Sequence, residues 1–112
     1  MLPPAKPESA KRASRWKSES HRRFVRSRVC CRCGSDVAVE CAHVRIGSGA
    51  GVGQKPDDWR TVGLCRVCHT EQHSIGERTF WKGADVEALI AAYCAASPKA
   101  REIRDAQRER GE

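Results

Sequence analysis

At 112 residues, with 31% charged side chains and a formal net charge of +7, the chain is the size of one small domain. Its apolar residues are largely Ala and Val, and the large aromatics are Trp16, Phe24, Trp59, Phe80, Trp81 and Tyr93, so the core is thin and calls for a covalent or metal staple. No window reaches the length of a membrane span, and the basic N-terminus MLPPAKPESAKRASRWK has no apolar run behind it, which excludes a secretory signal and makes the cytoplasm the expected location.

Residues 1–17, rich in Pro, Ser, Ala and Lys, are expected to be a disordered basic arm or one ordered only on DNA. Residues 1–29 hold nine Lys and Arg against Glu8 and Glu19, which concentrates the positive charge where a polyanion would be met. Ser18 or Ser20 is predicted to cap a short helix through Arg28, with Phe24 and Val25 inward and His21 as a cap or surface residue. The CCRCGSD run reads as a turn-forming knuckle, and the alternation in VAVECAHV predicts a strand over 37–44. RIGSGAGVGQKPDD, with four glycines and no periodicity, is a loop. WRTVGL is a second short strand, and CRVCHTEQH opens a helix that Gly76 ends.

ERTFWKG predicts a further short helix. DVEALIAAYCAAS predicts the clearest one, with Val86, Leu89, Ile90, Tyr93 and Cys94 forming one apolar stripe and Pro98 following its end. The tail over 97–112 is charged on all sides around Ile103, and is expected to be a lone solvated helix or disorder. The organisation is thus an arm (1–17), a domain (18–96) and a tail (97–112), of small α+β class, with a ββα unit carrying metal-binding turns.

Seven cysteines are an odd number for a closed disulfide framework, and reduced cysteine pairs more often hold metal. Cys30-x-x-Cys33 and Cys65-x-x-Cys68 each form a turn able to present two thiolates, together the tetrahedral set of a structural zinc site. CCRC also allows Cys31-x-Cys33, but the wider spacing is the commoner zinc geometry and favours Cys30. Cys31, Cys41 and Cys94 read as small apolar packing or spare thiols, Cys94 above all.

His69 and His73 are four residues apart, so on a helix they share a face and can grip one ion. The spacing alone also allows one of them to replace a cysteine in the zinc set. His43 ends the first strand where the chain enters the glycine loop, a place from which a neutral imidazole can take a proton from water.

The runs HRRFVRSRVCCRCG and VECAHVRIGSGAGVGQKPDDWRTVGLCRVCHTEQHSIGERTFW resemble the HNH (ββα-metal) endonuclease superfamily over residues 21–96. The closer likeness is to small bacterial, phage and prophage members with the pattern AHxR, KPxD, LCxxCHxxxH and GExxFW. The resemblance implies His43 as general base, His69 and His73 as ligands of a catalytic divalent ion such as Mg²⁺ or Mn²⁺, and a structural zinc on Cys30, Cys33, Cys65 and Cys68. It implies metal-assisted hydrolysis of DNA, expected to be double-stranded, that leaves 5′-phosphate ends. Arg45 and Lys55 are candidate phosphate clamps, and Arg22, Arg23 and Arg26 further DNA contacts. The sequence departs from the pattern at Ala42, where many members have a metal ligand, and it contains no asparagine. The loop-bracing Asn of the family would fall near Arg60, and Asp57 or Asp58 is the candidate substitute. A zinc-containing DNA-binding module without catalysis and a phage recombination accessory that cuts only with a protein partner are the alternatives.

Overall fold

The computed structural model describes residues 1–4, 14–50 and 54–111. The chain is a small mixed α/β domain whose helices surround a two-stranded antiparallel sheet. Most of the basic arm expected over 1–17 lies outside the described residues, but its last residues do not. Trp16 packs on Trp59, with ring centroids 5.7 Å apart, and its backbone N–H donates to Asp57.

Helix α1 (Glu19–Arg26) starts where the Ser18 hydroxyl accepts from the His21 N–H, as the capping expectation required. It stops two residues short of Arg28. Strand β1 (Val39–His43) begins later than the alternation suggests, because Ala38 takes a φ of 53° that breaks the extended run. Strand β2 (Thr61–Cys65) pairs with it from Val39 opposite Cys65 to His43 opposite Thr61. Trp59 and Arg60, expected in this strand, belong instead to the turn before it, closed by Arg60 N–H to Asp57 O at 3.0 Å and Thr61 Oγ1 to Asp58 O at 2.8 Å.

Helix α2 (Arg66–Ile75) follows β2 directly and ends at Gly76, whose φ of 86° favours glycine. Helix α3 (Glu77–Phe80) is one turn, and α4 (Val86–Ala96) is capped by the Asp85 side chain on the Ala88 N–H. Val86 and Ile90 are buried, and Leu89, Tyr93 and Cys94 pack beside them, so the α4 stripe meets the core formed by Ala42, Val44, Val62, Leu64, Phe80 and Trp81. Gly63 lets α1 and α4 approach β2: a Cβ there would lie 3.1 Å from Val25 O and 3.2 Å from the Tyr93 hydroxyl.

Two sequence expectations are corrected. The tail forms helix α5 (Ala100–Glu109), which is neither solitary nor disordered: it packs on α4 and buries Ile103 to 1% exposure. One apolar residue suffices because Arg110 adds polar anchors, donating to Asp57 Oδ2 at 3.0 Å and to Ser14 O. His21 is no surface residue. It is fully buried, with Nδ1 2.8 Å from Ser97 Oγ, and burial pushes its pKa below the ordinary value against the opposing charge of Asp58. No helix among the described residues is long and apolar enough to cross a membrane.

Candidate metal and catalytic site

The two CxxC turns meet at the junction of β2 and α2. One ligand atom from each of Cys30, Cys33, Cys65 and Cys68 lies within 4.8 Å of every other, and Cys33 Sγ is 3.7 Å from Cys65 Sγ. Sulfurs sharing a tetrahedral zinc at about 2.3 Å sit about 3.7–3.8 Å apart, so the four cysteines can hold a structural metal such as zinc. Burial opposes ionisation of Cys30, but backbone N–H groups of Cys65, Cys33 and Arg32 outweigh it and bring the thiol down to about 6. Burial and the neighbouring sulfurs push Cys68 up. Sulfur crowding of this kind is what a divalent cation relieves. Cys31 stands outside the quartet: burial raises its pKa, with Tyr93 beside it.

The quartet also sets the start of α2. Cys65 is the N-cap, its Sγ accepting from the Cys68 N–H at 3.5 Å, and His69 follows at once. One turn on, His73 brings its Nε2 to 3.3 Å from His69 Nε2. Two imidazole nitrogens bound to one tetrahedral ion at about 2.0–2.1 Å would be about 3.3 Å apart, so the pair fits a shared cation. Glu40 of β1 completes this arrangement, with Oε1 2.9 Å from His69 Nδ1. The carboxylate accepts the Nδ1 proton and leaves the Nε2 lone pair for a ligand. The His69 hydrogen bond holds the Glu40 carboxyl below its ordinary range.

A cleft of about 400 Å³ joins these groups, lined by Cys41, His43, Arg45, Lys55, Pro56, His69, His73 and Glu77. It brings together the three histidines and both loop cations singled out by sequence. Arg22, Arg23 and Arg26 are not among its lining residues. Arg22 and Arg26 bond Glu19 at 2.7 and 2.6 Å.

His43 Nε2 lies 2.9 Å from Asp58 Oδ1. Of the two aspartates considered, Asp58 therefore holds the imidazole, while Asp57 holds Trp16 and Arg110. The Asp58 side chain is fully buried. Burial alone would raise its pKa, but hydrogen bonds from His43, the Ser18 N–H and Arg15, with the Arg22 charge, hold it well below the carboxylate range. An ionised Asp58 accepts the Nε2–H, which leaves Nδ1 as the lone-pair nitrogen of His43.

The loop after β1 is braced from two sides. Arg60 donates to Ile46 O at 2.7 Å and Val44 O at 3.3 Å and forms a two-pronged pair with Glu87 at 2.8 and 2.6 Å. The Glu77 carboxylate accepts from the Arg45 and Ile46 N–H groups at 2.8 and 3.1 Å. An arginine thus secures the loop at the position where sequence reasoning looked for an asparagine. Glu40 and Arg15 escaped that reasoning entirely, because their partners lie 29 and 43 residues away. Glu77 stood in view inside GERTFW without a role.

A family model described as "Protein of unknown function (DUF968)" matches residues 3–83, which include both CxxC turns and every residue lining the cleft. No curated protein and no solved structure matches the chain.

Proposed function

The chain belongs to the DUF968 family, whose description assigns no activity, and we propose that it is a metal-dependent DNA endonuclease with β1, β2 and α2 as an HNH-type (ββα-metal) core. The observation that carries this reading is that His43, held by Asp58, and the His69–His73 pair line one cleft. A pure zinc-binding scaffold has no use for an oriented imidazole opposite a second cation site.

A divalent ion held by His69 and His73 would supply positive charge to the scissile phosphate and the leaving 3′ oxygen. His43 takes a proton through Nδ1 from the attacking water; the new bond forms at phosphorus, the bond to the 3′ oxygen breaks, and the 5′-phosphate stays with the downstream fragment. Arg45 and Lys55, at the cleft, bind the flanking phosphates and position the backbone. The basic N-terminal residues add affinity without base readout.

The test is nicking of supercoiled plasmid with Mg²⁺ or Mn²⁺ by wild type and His43→Ala. The wild type is expected to cut and the variant to lose about a hundredfold or more in rate. Equal nicking by both, or none by the wild type with any divalent metal, defeats the enzymatic reading.

A further inference from the structure

We infer that Arg15 is a positioning residue for His43: it holds the Asp58 carboxylate that fixes the imidazole, so Arg15 belongs to the site and is not one more cation of a basic arm. The inference rests on the nuclease reading for its kinetic consequences, though not for its geometry.

Asp58 is a carboxylate whose side chain is fully buried and accepts hydrogen bonds on both oxygens. Such a group needs a cation, and a neutral imidazole is not one. Arg15 Nη1 lies 2.8 Å from Asp58 Oδ1, the same oxygen that His43 Nε2 meets at 2.9 Å. Arg15 Nη1 also donates to Pro56 O at 3.4 Å, which ties the guanidinium to the loop that supplies the carboxylate. On the other oxygen, the Ser18 N–H donates at 2.9 Å.

The remaining groups around Asp58 cannot substitute. Arg22 Nε stands 3.6 Å away, and its guanidinium is shared with Glu19. His21 feels the Asp58 charge, but burial favours its neutral form; Cys41 feels it too, and burial keeps its thiol protonated. Without Arg15, Asp58 Oδ1 keeps only His43 as its side-chain partner, and the guanidinium no longer ties that oxygen to the Pro56 carbonyl, so the carboxylate loses the contact that aims it at the imidazole. Arg15 thus holds the carboxylate where it orients the His43 ring.

Two arm cations that composition treats alike are therefore expected to differ. Lys17 is exposed, whereas Arg15 reaches a buried acid. The experiment compares wild type, Arg15→Ala, Arg15→Lys and Lys17→Ala as zinc-loaded full chains, by ¹⁵N NMR of the histidine rings and by steady-state plasmid cleavage. In wild type His43 is expected as the Nε2–H tautomer. Arg15→Ala is expected to lose that signature and to drop kcat by about tenfold or more with KM little changed, within the ~10²–10⁴-fold that a positioned base contributes. Arg15→Lys should restore most of both. Lys17→Ala should instead raise KM and reduce the slope of log affinity against log salt by about one, with kcat intact.

An unchanged His43 ring signature in Arg15→Ala, or a loss confined to KM like that of Lys17→Ala, overturns the proposal. Should Arg15→Ala fail to fold, Arg15→Lys and Arg15→Gln decide it: retention of the tautomer by the lysine variant alone supports it, and equal behaviour of the two overturns it. If the wild type cuts no DNA, the nuclease reading fails, while the ring signatures still decide whether Arg15 sets His43.

Discussion

Nε2 of His69 and Nε2 of His73 face each other at 3.3 Å across one turn of α2, and Glu40 of the neighbouring strand holds the far side of the His69 ring. The helix supplies the spacing, and the strand supplies the tautomer. Neither element alone sets the geometry of the pair, since a free His69 ring could present either nitrogen.

Titration of the zinc-loaded protein with Mn²⁺ or Co²⁺, followed by calorimetry or paramagnetic broadening, is expected to show one further site. His69→Ala and His73→Ala should abolish it and leave zinc content unchanged. Glu40→Gln should weaken it by about 10–100-fold, as loss of a carboxylate behind a ligating imidazole does. Retention of full affinity in all three variants would place the ion elsewhere.

Metal analysis should find one tightly held zinc per chain. Cys65→Ser and Cys68→Ser are expected to lose it together with the folded state, because Cys65 caps α2 and Cys68 is buried at its first turn. Cys31→Ser and Cys94→Ser should keep it, since both side chains stand outside the quartet.

Arg60 secures the loop after β1 through two backbone carbonyls, so Arg60→Ala is expected to destabilise the fold by about 2–3 kcal/mol, the cost of leaving buried acceptors unpaired. Glu87 is more than half exposed, and Glu87→Gln should cost less than about 1 kcal/mol. Urea midpoints of the two variants measure the difference. Equal effects would mean that the ion pair, and not the carbonyl bonds, anchors the loop.

Asp58 also predicts an acid response. Its folded pKa lies below the unfolded one, so its contribution is fully present above the ordinary carboxylate pKa and is lost as pH falls below it toward the folded value. The stability difference between wild type and Asp58→Asn, taken at each pH to cancel the acid lability of the thiolates, should therefore shrink from pH 6 to pH 3. A difference that stays constant over that range would show that Asp58 is not ionised in the native state.

The sequence by itself determined the parts of this protein that depend on neighbours along the chain. Hydrophobic period, Ser18 before a helix and Gly76 after one located the elements from α1 to α4 within a few residues, and the spacing of the CxxC turns and of the i, i+4 histidines brought each pair together because such geometry is local. Only the tertiary structure decided how these parts are held. Asp58 rather than Asp57 reaches His43, Arg60 takes the bracing role, His21 is buried under Ser97, and the charged tail docks through Ile103 and Arg110. Each of these pairings joins residues far apart in sequence, and periodicity and composition are blind to such pairs. A buried carboxylate takes the partners that the closed fold brings within hydrogen-bond reach, and for Asp58 those are Arg15, Ser18 and His43.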